Sequence, residues 1–559
     1  VFVFVSVDKL IKTSKKFKVS DKGTCFATSI FLLYNKKPSD MRRFLILILP
    51  VLFLSCAVTK DGVKSGLELI TAENIAQNIS FLASDSLKGR NTPSPELDIA
   101  GNFIAERFMQ YGLKPVNGSY FQRVEFVRID LAEDNALILS KNGEQIVFKL
   151  GEDFIPFNFA DGEIAAEVIF AGYGITAKEY GYDDYEGIDA KGKIVVVLRD
   201  EPQENDTTSV FNGKNPTRYS FPRYKAQNAF EHGAVGVIIL PDPLNHSILK
   251  PRGYVWPKLY KNLPRASLPI QLSYQLSKMP PSIEAGENFI KSLFGDTRVL
   301  KDIQRSIDET LKPKSFKFEN VKIKMKISFA KEKVYANNVV GLIEGEDEKL
   351  KDEVIIVGAH YDHVGYITGT MGKDSIYNGA DDNASGTVGM IEVAKAFALN
   401  KKKPKRSLLF IAFCGEEKGL LGSRYYVDNP LFPIEKTVAM INLDMIGRNA
   451  IDSLILIGWS YSEDMKRIAE EENQKIGFKF SYDGEKDFSR SDQANFAWKG
   501  IPVIFFHSGE HEDYHKVTDE VSKINFAKIA KVAKLCYSVA YKLANSDFKP
   551  KLNEDKLAN

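Results

Sequence analysis

The sequence predicts an α/β fold: a central sheet flanked by helices and interrupted by a smaller β-rich domain. Three observations lead there. Beyond residue 340, short apolar runs such as Val354–Gly358, Ser407–Phe413, Thr437–Leu443 and Pro502–Phe506 alternate with loops and helical patterns. Between about 160 and 315 the texture changes to apolar runs separated by glycine and proline turns. At 559 residues, 44% hydrophobic and 26% charged, the chain has a soluble globular composition and exceeds one ordinary domain.

Residues 1–40 are unassigned and expected to lie upstream of a true start at Met41. From there the chain reads Met41-Arg42-Arg43, an apolar stretch Phe44–Phe53, then Leu54-Ser55-Cys56. A basic start, a short apolar core and a small residue at the cleavage point form an export signal, and the core is too short for a bilayer interior of about 30 Å. The ending resembles the lipobox of bacterial lipoproteins, which implies that residues 41–56 are a lipoprotein signal peptide and Cys56 the acylated first residue. The expectation is an exported protein, periplasmic or at the cell surface, held to the membrane by this lipid alone. Residues 57–69 read as a polar tether.

The folded pattern begins near Leu69. Ser94 as N-cap, Pro95 at the first helical position, apolar Leu97, Ala100, Phe103, Ile104, Phe108 and Tyr111 on one face, and Gly112 as the stop define a helix that should cover the sheet. Ser86–Arg90, just upstream, reads as a turn-rich loop without evident chemistry.

The 160–315 segment contains Ala166–Phe170, Lys193–Leu198 and Val235–Leu240, the last preceded by a helix over about Tyr224 to His232. Its motif order, Gly172-Tyr173-Gly174, Lys191-Gly192-Lys193, Lys225–Ala229 and Gly233–Gly236, resembles the protease-associated (PA) domain inserted in several exopeptidases. No catalytic set is visible in it, and His232 and His246 read as ordinary surface or helix-end histidines. Strand texture returns near 320–346, where the first domain resumes. That domain is therefore expected to be discontinuous, 70–159 and 316–546, with 547–559 a polar tail.

Two exclusions follow from composition. A net charge of +2 without a basic block does not expect nucleic acid as a partner. Four cysteines, Cys25, Cys56, Cys414 and Cys536, make neither a disulfide framework nor a zinc-finger spacing, and the last two sit in apolar runs as inert thiols.

The chemistry gathers at strand ends. Val354–Gly358 delivers His360-Tyr361-Asp362-His363; Gly379-Ala380-Asp381-Asp382-Asn383 precedes the helical pattern from Thr387; Ser407–Phe413 runs into Gly415-Glu416-Glu417; Thr437–Leu443 delivers Asp444; and Pro502–Phe506 leads to His507, His511 and His515. Five of the seven histidines fall in this half. Imidazole and carboxylate are the ligand types zinc accepts, and loops at the carboxyl ends of strands are where open sheets mount their sites.

His360-Tyr361-Asp362, Gly379–Gly386, Gly415–Ser423, Asn442–Arg448 and Asp513-Tyr514-His515 together resemble the five metal-site motifs of the M28 family of zinc exopeptidases. The resemblance implies a mixed central sheet of the zinc-exopeptidase type, two Zn2+ per chain, and hydrolysis of N-terminal peptide bonds, with a peptide as substrate. It places His360 and Asp444 on one ion, Glu417 and His515 on the other, and Asp382 between both. Glu416 would take the proton of the attacking water. Asp362 would accept the other ring N–H of His360 and so fix its tautomer. His363, His507 and His511 match no ligand position and read as loop residues or pocket walls. Ser491-Asp492-Gln493 departs from relatives that carry a histidine third, a change expected to touch the pocket. Two other readings stay open: a glutaminyl-cyclase-like acyltransferase with one zinc, and a receptor-like binding module of the same fold that has lost its metals.

Overall fold

A computed structural model describes residues 66–260, 267–275, 279–368, 374–553 and 555. The expected upstream stretch 1–40, the signal 41–56 and most of the tether lie outside the described residues. Two large sheets organise the rest. The central one has nine strands in the order Ile270–Leu272, Phe121–Leu131, Phe329–Ile343, Ser407–Phe413, Val354–His360, Thr437–Leu443, Val503–His507, Ser453–Ile457 and Lys479–Ser481. Its middle four strands, from Ser407–Phe413 to Val503–His507, are mutually parallel, and antiparallel neighbours flank them. The sheet is thus mixed, as expected.

These four strands are buried along nearly their whole length, which is why they read as unbroken apolar runs rather than as alternation. Helices Ala72–Leu82, Pro95–Tyr111, Gly386–Ala398 and Phe526–Asn545 cover one face; Leu421–Asp428 and Gln493–Ala497 pack in the core of the other. The helix over Pro95–Tyr111 has the predicted ends: Ser94 accepts the Leu97 N–H, and Gly112 stops it at φ 85°. Parallel alignment brings the carboxyl ends of the four strands to one edge, where His360, the turn after Phe413, Asp444 and His507 emerge together.

The second sheet holds Glu144–Phe148, Ala136–Lys141, Ser315–Ile327, Gly162–Ala171, Ile194–Leu198, Gly236–Leu240, Ser282–Ala285 and Phe154–Pro156. It takes in strands on both sides of the 160–315 segment expected for the insert. The reason is pairing: Val321–Lys326 runs antiparallel to Ala136–Lys141, closing the sheet with residues far away in sequence. Ser315–Ile327 is followed after one residue by Phe329–Ile343, which pairs along Phe121–Leu131 in the central sheet. A long antiparallel ribbon therefore joins the two sheets. Residues 547–553, expected as a tail, lie against the body: the Asn553 N–H donates to the Tyr461 carbonyl and Ser462 Oγ to the Lys551 carbonyl. Cys414 and Cys536 are buried free thiols.

Candidate metal centre

Main-chain bonding fixes each loop before any side chain is aimed. After His360, residues 380–385 form an irregular turn in which Asp382 and Asn383 leave helical φ/ψ. Gly379 starts it in the left-handed region at φ 57°, and a Cβ there would lie 2.2 Å from the Asp382 carbonyl oxygen, so the turn requires glycine. The Asp519 carboxylate accepts the N–H groups of Asp381 and Asp382 at 3.0–3.1 Å. Asn383 ties the turn to the strand end beside it, donating to the Leu443 carbonyl and accepting from Met445 N–H.

Underneath lies Arg90. Its guanidinium is buried and donates to the carbonyls of Tyr361, Asn378 and Gly379 at 2.7–3.1 Å and to that of Leu82. Burial pushes it down to about 10, against the pull of Asp362 and Asp382, so it remains a cation at neutral pH. The loop Ser86–Arg90, which showed no chemistry in the sequence, is the anchor of two site loops.

On this frame Asp382 divides its oxygens. Oδ1 lies 3.4 Å from His360 Nε2, which lies 3.4 Å from Asp444 Oδ1. Oδ2 lies 3.0 Å from His515 Nε2, which lies 3.2 Å from Glu417 Oε2. Two donor groups result: His360, Asp382 and Asp444; and His363, Asp382, Glu417 and His515. All five residues expected as ligands lie in these two groups. His363, expected as a loop residue or pocket wall, is instead fully buried in the second group, with Nδ1 2.8 Å from Glu417 Oε1. His507 does line the cavity, its Nδ1 2.9 Å from the Asp444 carbonyl, and His511 stands behind, 3.2 Å from Asp381.

The supports differ from expectation at two points. The His360 ring meets the main-chain carbonyl of Asp362, Nδ1 to O 3.2 Å, while the Asp362 carboxylate is 3.8 Å off. That carboxylate instead accepts from Thr92 Oγ1 at 2.9 Å and from the Glu416 N–H at 3.2 Å. Gln493 is buried under the sheet edge, accepting from Asn442, and does not line the cavity; Ser491 does, and it donates to Asp444 Oδ2 at 2.8 Å. His515 itself sits at φ 53°, a left-handed conformation unusual for a residue with a Cβ, held by a loop in which Asp513 binds Arg448, Thr518 and Lys523.

The electrostatics ask for positive charge. Burial alone would raise the Asp382 carboxyl, yet His363, His360 and His515 outweigh it and hold the group well below the ordinary range. Burial opposes ionisation of Glu417 too, and Asp382 adds to that, but His363 and His515 bring it down to about 2. Burial would lower the His515 imidazole, and the carboxylates of Asp382 and Glu417 push it up to about 10. Glu416 goes the other way: burial, with Glu417 and Asp444 nearby and His360 opposing, raises its carboxyl well above the usual range.

The donor set fits zinc. Ligand bonds of about 2.0–2.1 Å in a tetrahedron put neighbouring donor atoms about 3.3–3.4 Å apart, and the His360–Asp382 and His360–Asp444 separations are 3.4 Å. Asp444 Oδ1 and His363 Nε2 are buried without a hydrogen-bond partner, although burial without one is costly, while His363 Nδ1 and Glu417 Oε1 face only each other at 2.8 Å. The cavity above the donors is walled by Met445, Ile457, Phe505 and Tyr514, with Asp487, Arg490 and Glu510 also lining it.

Comparison with known proteins agrees with this geometry. Residues 338–540 match peptidase family M28, and residues 161–258 match the PA domain. Aminopeptidase YwaD of Bacillus subtilis (strain 168) is 30% identical over 236 residues, 39% of this chain and 46% of that protein. A probable leucine aminopeptidase of Arthroderma benhamiae (strain ATCC MYA-4681 / CBS 112371) is 28% identical over 239 residues, 39% of this chain and 61% of that protein. The alignments thus span about half to three-fifths of these curated relatives. Among solved structures, the aminopeptidase from Aneurinibacillus sp. strain AM-1 shares the fold, with a TM-score of 0.52 at 22% identity over 86% of this chain and 96% of that one.

Proposed function

We propose, for a chain whose residues 338–540 belong to peptidase family M28 and whose residues 161–258 form a PA domain, an aminopeptidase that works with two zinc ions. The observation that carries the reading is the Asp382 carboxylate, which turns one oxygen to each of two donor groups. His360 and Asp444 would hold one ion, Glu417 and His515 the other, with Asp382 shared and His363 beside the second. Two relatives 28–30% identical over part of their length carry the name aminopeptidase, which supports peptide N-termini as the substrate.

Bound zinc would polarise the scissile carbonyl, ease deprotonation of water and offset negative charge in the transition state. The residues do the rest. Glu416 is half-buried beside the donor groups, its Oε2 4.0 Å from His360 Nε2, and belongs to neither of them. A carboxyl raised by burial is suited to take the proton of the attacking water and return it to the leaving amine. Asp362 and Thr92 hold the Glu416 loop through main-chain bonds, and Ser491 fixes the rotamer of Asp444. The apolar wall of Met445, Ile457 and Phe505 offers the terminal side chain a surface to bury against.

Residues 41–56 support export with a lipid on Cys56. Among the described residues, no helix is long and apolar enough to cross a membrane. The test of the activity is zinc per chain together with turnover on a panel of aminoacyl and dipeptidyl amides. Two zincs and release of free N-terminal residues are expected; a single zinc with cyclisation of N-terminal glutamine would replace this reading.

A further inference from the structure

A second group of ligand-type side chains lies in the PA domain and shares no residue with the metal centre described above. Strands Ile194–Leu198 and Gly236–Leu240 run parallel and in register, Leu198 beside Leu240. Two residues beyond each end stands an aspartate: Asp200 after the first strand, Asp242 after the second. Equivalent positions at the carboxyl ends of adjacent parallel strands are where such sheets collect ligands.

The loops complete the set. Asp242 is fully buried and its Oδ1 accepts the N–H groups of Leu244 and Asn245, while Oδ2 accepts Asn245 Nδ2. The turn so formed carries on to His246, whose N–H donates to the Asp242 carbonyl and whose Nδ1 lies 3.8 Å from Asp242 Oδ2. The same Nδ1 is 4.0 Å from Asp200 Oδ2, and Nε2 is 3.5 Å from Glu204 Oε1. One donor atom from each of the four residues lies within 4.8 Å of all the others.

An independent feature marks this as more than an acidic corner. Asp200 Oδ2, Glu204 Oε2 and His246 Nδ1 are closed to solvent and have no hydrogen-bond partner. Among the described residues, no lysine or arginine forms an ion pair with Asp200, Glu204 or Asp242; their ion pairs are with His246 alone. A single imidazole faces three carboxylates, and a divalent cation would satisfy the orphaned atoms at once. An open cleft lined by Glu204, Asn245 and Asp308 adjoins the cluster and gives an ion a path from solvent.

We propose that Asp200, Glu204, Asp242 and His246 bind a divalent transition-metal ion, Zn2+ or Mn2+, which ties the loop after Leu198 to the loop after Leu240. Three carboxylates and one imidazole are a mixed oxygen–nitrogen set suited to these ions, and an ion joining two loops stiffens the edge of the PA domain.

The test uses the full chain and its Glu204→Gln and His246→Gln variants, two positions exposed enough to change without opening the core. Each is dialysed against Zn2+ alone or Mn2+ alone, and metal per chain is measured by mass spectrometry, with circular dichroism to confirm the fold. Each variant should hold one equivalent fewer than the parent while its turnover of a small aminoacyl amide is unchanged. In an Asp382→Asn background, which impairs the peptidase centre, an equivalent should remain and should vanish on adding His246→Gln. Equal metal content in parent and both variants overturns the proposal and leaves a histidine ion-paired with its acids; so does the absence of any remaining ion in the Asp382→Asn chain.

Discussion

Asp362 and Glu416 are joined through the main chain: the Asp362 carboxylate accepts the Glu416 N–H at 3.2 Å, and its other oxygen accepts from Thr92. The aspartate therefore places the glutamate and not the histidine two residues before it. Asp362→Ala should lower kcat by about 10–100-fold, the usual effect of removing a supporting hydrogen bond, with zinc content and KM little changed. Loss of zinc in this variant would mean that Asp362 acts on His360 instead.

Neighbouring glutamates are assigned different work. Glu416→Gln keeps the shape but cannot accept a proton, so zinc content should be unchanged while turnover falls by about 10²–10⁴. Glu417→Gln weakens a ligand. It should lose the second ion and regain part of its activity in excess zinc, as mass action requires. Zinc per chain and turnover, measured for both with and without added zinc, separate base from ligand; the opposite pattern reverses the two roles.

Zinc uptake should release protons. In the metal-free protein the His515 imidazole is raised to about 10, so at neutral pH it carries a proton that must leave before the ring can bind metal. Apparent zinc affinity should therefore rise with pH from 6 through 8 and on toward 10, flattening above it. Calorimetry in buffers of different ionisation enthalpy reads the proton count directly, and a count of zero at pH 7 would contradict the assignment.

Arg90→Met should unfold more easily without touching any ligand. The guanidinium satisfies four buried carbonyls, and leaving buried acceptors unpaired costs about 1–3 kcal/mol each, so a loss of about 3 kcal/mol or more is expected in urea unfolding. A midpoint equal to the parent's would show that water replaces the cation.

The anchor has its own readout. If Cys56 becomes the mature N-terminus, the native protein should carry an acylated cysteine there, visible by mass spectrometry, and Cys56→Ser should release it from membranes. An unmodified Met41 at the mature N-terminus would remove the lipid anchor from the proposal.

What could be read from the sequence was what strands present at their ends. His360, Asp382, Glu417, Asp444 and His515 each follow a buried apolar run or open a helix, so periodicity alone put them at one edge, and the motif resemblance sorted them into pairs. Residues that act on main-chain atoms left no such trace. Arg90, Thr92 and Asp519 reach carbonyls and N–H groups of loops well over a hundred positions away, and their own neighbourhoods look like ordinary turns. The role of Asp362 was misread for a related reason: whether a ring nitrogen meets a carboxylate or the carbonyl of the same residue is decided by loop geometry. His363 lay in view but matched no ligand position, and only the approach of Glu417 shows its place. That Ala136–Pro156 joins the second sheet was not legible, because strand pairing and not local texture decides it.

Three of the four bonds of Arg90 span 271, 288 and 289 positions along the chain. Bringing such distant stretches together costs loop-closure entropy that grows, slowly, with their separation. The frame of the candidate metal centre therefore closes only where the helix ending at Leu82, the strand ending at His360 and the turn at Gly379 meet around Arg90. An unfinished chain emerging from synthesis carries Arg90 long before its partners, and has no formed centre with which to capture an ion or cut a peptide. The proposed centre thus depends on carboxyl-terminal loops closing over a cation that the amino-terminal part of the chain supplies.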